Sequence, residues 1–171
     1  MLKIYLTGPE SSGKTTLAKS LSKYYDCPWV PEYARQYLQE RNGFYQYEDL
    51  TKISKGQIDL ENQFVRNGQS KLILDTGQLV LYIWSMHKYG QVAQNIETGV
   101  MAQRTSFHLL CRPDVEWEED TLRESPDERA LLFQKYKAAA DSFNLKYAIV
   151  EGRGKERLKN AASCIEAFLD A

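Results

Sequence analysis

The stretch LTGPESSGKTTLAKSL, residues 6–21, holds the pattern G-x-x-x-x-G-K-S/T as Gly8, Gly13, Lys14 and Thr15. Ahead of it runs Leu2-Lys3-Ile4-Tyr5-Leu6, short and rich in apolar residues, as a buried parallel strand reads. Behind it Leu17, Leu21 and Tyr24 recur at helical spacing with Ala18 beside them, so a helix is predicted from about Gly13. Strand, glycine-bearing loop and helix in that order are the setting in which this pattern grips phosphate. Gly8 and Gly13 permit backbone shapes that curl successive N–H groups around phosphate oxygens, and the helix end adds partial positive charge. The triphosphate of a nucleotide is therefore expected against Gly8, Pro9, Glu10, Ser11, Ser12, Gly13, Lys14, Thr15 and Thr16. Lys14 would reach the β- and γ-phosphates, and the Thr15 hydroxyl would ligate Mg²⁺.

At 171 residues the chain has room for one domain, 1–171, with a sizeable core. Its 22 basic and 23 acidic residues leave a net charge of −1, which argues against bulk electrostatic binding to nucleic acid or an anionic membrane. Cys27, Cys111 and Cys164 form no C-x-x-C pair and are odd in number, the pattern of reduced structural thiols. No stretch approaches the roughly 20 apolar residues of a membrane span. The first strand also runs directly into the phosphate loop, leaving no room for a removable leader. A cytoplasmic protein without nucleic-acid or membrane partners is expected.

Further strands are predicted at 28–31, 71–75, 107–111 and 147–150, the first confined by its prolines to an edge or a strand end. Helical stretches fall at about 32–42, 48–67, 77–89, 127–143 and 155–169, with a weaker one near 91–105. Alternation of this kind predicts an α/β fold, a three-layer αβα P-loop NTPase domain on a parallel five-stranded sheet. Ligands in such sheets lie at the carboxyl ends of the strands. Glu32, Asp75 and Arg112 are the residues at those ends.

Asp75 closes the apolar strand KLILD, where a carboxylate beside the phosphate loop can hold Mg²⁺, or cap the helix that follows. The next residues are Thr76 and Gly77, so the glutamate that orients water in many ATP hydrolases is missing, and no N/T-K-x-D guanine reader occurs. In VPEYARQYL, residues 30–38, Glu32 could take a proton from an attacking hydroxyl. Arg35, one turn on, could stabilise a phosphoryl group in transfer or simply pair with Glu32. Residues 112–128 read as a polar flap able to close over the nucleotide and exclude water, with Arg123 and Arg129 neutralising phosphate charge. Trp117 either stacks on a planar acceptor ring or pins the flap to the core. Glu118 reads as solvated surface, His108 as a satisfied core histidine, and Tyr82, Trp84 and Tyr89 as packing; His87 carries little signal and neither histidine has a metal-ligand spacing.

The pieces GPESSGKTT, EYARQYL, ISKGQ, KLILDT and EWEEDTLR, in that order, resemble the ribosylnicotinamide kinase domain of NadR-type proteins, an AAA-like P-loop kinase family. The resemblance implies transfer of the ATP γ-phosphate, with Mg²⁺, to the ribose 5′-hydroxyl of nicotinamide riboside, giving nicotinamide mononucleotide. It implies that Lys14 and Thr15 serve ATP and the metal, and that Glu32, Tyr33 and Arg35 line the acceptor site. Asp75 would serve the metal or the acceptor hydroxyl, and Trp117, Asp120 and Arg123 would belong to the flap; either Glu32 or Asp75 is the base. Two departures stand out. The family often reads D-T-D where this chain has Asp75-Thr76-Gly77, and it usually carries glycine where Thr121 stands. These leave open another nucleoside as acceptor, or a nucleotide-sensing regulatory ATPase.

Overall fold

A computed structural model describes residues 1–118, 120, 122 and 126–171. The first strand, β1 (Leu2–Thr7), is the middle of the sheet, and its residues are buried to match. It pairs in parallel with β3 (Lys71–Asp75) on one side and β4 (Phe107–Cys111) on the other. Beyond these lie β2 (Trp29–Val30) and β5 (Lys146–Val150), also parallel, giving the order β2-β3-β1-β4-β5. The proline-bounded segment is indeed an edge, and only its two central residues pair.

Alternation along β1 divides the core between the two faces. Ile4 and Leu6 meet Leu17 and Leu21 of α1 (Lys14–Tyr24) and Ala161 and Ile165 of α7 (Gly154–Leu169). Tyr5 points the other way, into a cluster with Val30, Leu72 and Leu74 that Leu60 and Phe64 of α3 (Tyr47–Arg66) cover. On that second face, α4 (Gln78–Tyr89), α5 (Gln94–Ala102) and α6 (Arg129–Ser142) close over Leu110. Short α2 (Tyr33–Gln39) packs on α3. The result is the expected three-layer αβα P-loop arrangement. The weakly patterned region near 91–105 folds as α5, and the stretch from 127 divides into a 3₁₀ turn at Pro126–Glu128 and α6. Among the described residues no helix is long and apolar enough to cross a membrane.

Candidate active site

The phosphate loop leaves β1 at Gly8 and enters α1 at Lys14. Its two motif glycines are required for different reasons. Gly8 has φ 141°, and a Cβ there would stand 2.7 Å from the Cys111 carbonyl oxygen, so both backbone and space demand glycine. Gly13 has φ 74° but only ordinary contacts around a Cβ, the nearest at 3.9 Å, so its conformation alone decides. Ser12 Oγ donates to the Pro9 carbonyl at 2.8 Å and tightens the loop. Lys14 Nζ donates to the carbonyls of Gly8 at 2.9 Å and Pro9 at 2.7 Å, holding its charge over the loop.

Beside this cation lie the two carboxylates singled out at the strand ends. Asp75 is only 2% exposed, and burial raises its pKa against the pull of a hydrogen bond from the Thr15 hydroxyl and the charge of Lys14. Its Oδ1 is buried with no partner. An orphaned carboxylate oxygen next to a hydroxyl is an oxygen donor pair that suits Mg²⁺. No cluster of three His, Cys, Asp or Glu occurs among the described residues, so the remaining ligands of such an ion would be phosphate and water. The alternative of Asp75 as helix cap is overturned: the N-cap of α4 is Gly77, without a side-chain cap bond.

Glu32, the N-cap residue of α2, has its pKa raised by burial first and by Asp75 second, with Lys14 and Arg35 opposing and Glu10 adding. Glu32 and Asp75 thus form one electrostatic unit, with Lys14 and Arg35 acting on both and Glu10 on Glu32. Thr76, which follows Asp75, is held at φ 103°, a strained backbone for a β-branched residue and typical of functional strand ends.

A cleft of about 980 Å³ opens over this unit. Its floor is the loop from Gly8 to Thr16; Glu32, Arg35, Tyr45, Val80, Trp84, His87 and Tyr136 form one wall, and Arg153, Gly154, Lys155 and Leu158 the other. Trp84 and His87, set aside in the sequence reading, belong to the first wall. Trp84 Nε1 donates to the Tyr45 hydroxyl at 2.8 Å with the two rings edge to face, and His87 lies 3.0 Å from Glu128 and 2.9 Å from Lys135 Nζ. Their signal was the spacing of Val80, Ile83, Trp84 and His87 along one face of a helix, which also reads as core. The basic run Arg153, Lys155 and Arg157 also passed unread. Cations at a helix N-terminus oppose the dipole, which was the available cue.

Other residues are placed differently from the expectation. The Tyr33 ring packs against Gly56, filling the space a Cβ would need there, and does not line the cleft. Arg112 pairs with Glu151 at 3.2 Å outside the cleft. His108 is buried and stacked on Tyr5; its Nε2 lies 3.3 Å from the Gln103 carbonyl, Nδ1 has no partner, and burial lowers its pKa to about 4. It is a neutral core histidine, satisfied on one nitrogen.

Glu118 and Arg129 meet the phosphate loop at Ser11. The Glu118 N–H donates to Ser11 Oγ at 2.9 Å, and Arg129 Nη1 donates to the carbonyls of Ser11 at 3.1 Å and Val115 at 2.9 Å. Trp117 lies under the Arg129 guanidinium, 5.6 Å from its ring centroid, rather than along the cleft. Arg35 Nη1 donates to Asp120 Oδ2 at 2.8 Å. Arg123 and Thr121 lie outside the described residues.

Residues 3–157 match the AAA domain family. The chain belongs to that family. Its fold is similar to that of a NadR protein in complex with NR, at 22% identity and a TM-score of 0.82, covering 99% of this chain and 52% of that one. A NadR protein in complex with NAD and AMP-PNP gives 21% and 0.80, covering 99% and 50%. This chain thus spans about half the length of the NadR chains it matches. Deoxyadenosine kinase from M. mycoides with bound dCTP follows at 14% and 0.58, covering 97% and 100%. The likeness carried by the motifs is matched by the fold of the whole chain, a P-loop αβα domain.

Proposed function

We propose that this AAA-family domain is an ATP-dependent small-molecule kinase, a P-loop phosphotransferase that phosphorylates the 5′-hydroxyl of nicotinamide riboside to give nicotinamide mononucleotide. The observation that carries the reading is Glu32. Its carboxylate lines the cleft beside the phosphate loop, with its pKa raised by burial and by Asp75 and opposed by the charges of Lys14 and Arg35. That is the arrangement of a base poised to take a hydroxyl proton as phosphate charge develops nearby. Lys14 would bind the transferring phosphate, Arg35 would stabilise it, and the wall bearing Tyr45 and Trp84 would receive the acceptor. Thr15 and Asp75 would hold Mg²⁺, which when bound neutralises phosphate charge. Residues 112–128 would act as the flap that excludes water, with Glu118 held at Ser11 and Val115 at Arg129. The NadR protein in complex with NR supports the choice of acceptor at the level of fold.

The test is ADP formation from Mg-ATP with and without nicotinamide riboside, with product identified by mass. Acceptor-dependent ADP matched by nicotinamide mononucleotide is expected. ADP formed equally without acceptor would replace this reading with a nucleotide-sensing ATPase, and response only to another nucleoside would replace the acceptor.

A further inference from the structure

Three segments, the phosphate loop, the exit of β4 and the turn into α7, meet at one guanidinium. Arg157 in α7 is 4% exposed. Its Nη2 donates to the carbonyls of Ser12 at 2.8 Å and Arg112 at 3.0 Å, tying the phosphate loop to the exit of β4. Its Nη1 donates to Asp114 Oδ1 at 2.7 Å and to the Gly152 carbonyl at 2.9 Å. The second oxygen of Asp114 accepts the Gly152 N–H at 2.7 Å, and the Asp114 carbonyl accepts Arg153 Nε at 3.1 Å. Gly152 sits at φ 94°, so the turn into α7 takes a shape that side chains resist. A planar fork can serve four acceptors at once, whereas a lysine ammonium with three donors cannot.

Arg157 itself borders the cleft beside Gly13 of the phosphate loop. It fixes the turn that supplies Arg153, Gly154 and Lys155 to the opposite wall of the cleft, and fixes it to the loop that holds phosphate. We infer that Arg157 and Asp114 are positioning residues that hold the α7 wall in register with the phosphate loop, so that the base and ribose of the nucleotide are bound together with its phosphates. The inference rests on the reading that ATP is the bound nucleotide.

Calorimetry on the full chain with two probes, ATP and inorganic tripolyphosphate, tests it. Asp114→Asn keeps shape but cannot accept from both Arg157 and the Gly152 N–H. ATP affinity is expected to fall roughly tenfold, the equivalent of one charge-assisted hydrogen bond, with tripolyphosphate affinity changed less than about twofold. A merely structural role would weaken both probes in proportion. Proportional weakening, or no change in either, overturns the inference. Should Asp114→Asn not fold, Gly152→Ala strains the same turn from its other side and carries the same expected change in the ratio. Wild-type protein that binds neither probe would instead remove the ATP reading itself, so the two failures are distinguishable.

Discussion

Arg35 Nη1 and Asp120 Oδ2 stand 2.8 Å apart, joining the start of α2 to the segment proposed as a flap. With the two side chains 42% and 19% exposed, the pair contributes under about 1 kcal/mol to folding. Its consequence is positional: the cation proposed to meet the phosphoryl group is also the one that holds the flap. Arg35→Ala is expected to lower acceptor-dependent turnover by about 10²-fold with little change in melting temperature. Asp120→Asn should instead raise acceptor-independent ADP release. Full turnover in a folded Arg35→Ala protein would remove Arg35 from the transfer.

The raised pKa of Glu32 sets the direction of the pH response. A base works only when deprotonated, so kcat should climb as pH rises through a value above the usual glutamate pKa of about 4.3. Glu32→Gln should lower kcat by roughly 10²-fold or more and flatten that acidic limb. If Asp75→Asn abolishes the limb and Glu32→Gln does not, the base is Asp75.

Glu61 offers a separate test in folding. It is buried, accepts from the Tyr5 hydroxyl at 2.8 Å and from Lys3 Nζ at 3.3 Å, and burial nevertheless raises its pKa. A carboxyl whose folded pKa exceeds its unfolded one binds protons more tightly when folded. Its contribution to stability is full below the unfolded pKa and is lost as pH rises through the folded one. Urea melts over pH should therefore show wild type losing stability relative to Glu61→Gln as pH rises from about 4. A constant difference between the two proteins would contradict the raised pKa.

Gly77 stands where the second family carboxylate is missing, and the fold shows what occupies its space. A Cβ there would lie 2.6 Å from Tyr5 Cδ1 and 3.0 Å from Gln103 Oε1. Gly77→Asp should destabilise the protein by about 1–3 kcal/mol rather than restore a carboxylate to the site. In a double-mutant cycle with Tyr5→Ala the combined loss should be less than the sum. Additive losses would show that the two side chains do not compete.

Lys14 Nζ donates to two carbonyls of its own loop, Gly8 and Pro9. Lys14→Ala should abolish phosphoryl transfer while leaving the denaturant midpoint close to that of the wild type. A folded variant with normal turnover would dismiss the role given to the phosphate loop.

The layered α/β fold and the phosphate loop were legible from the chain alone, because their signals are local. Five apolar runs, helical periodicity between them, and the spacing of Gly8, Gly13, Lys14 and Thr15 each sit within a few residues of one another. Strand-end logic also located Glu32 and Asp75, since in a parallel sheet chain order already says which end faces the ligand.

Which side chains face the cleft was decided only by tertiary packing. Periodicity marks a stripe on α4 but not what the stripe meets, so Trp84 reads as packing and His87 carries little signal, yet both lie along the cleft. Tyr33 shares a motif with Glu32 and Arg35, yet Gly56 of α3 leaves the space into which its ring turns. Gly77 is required by Tyr5 of a neighbouring strand, and Arg157 finds Asp114 and Ser12 only once α7 has closed on the phosphate loop. Contacts between segments far apart in sequence exist only in the packed arrangement, where burial and hydrogen-bond satisfaction select one partner from many.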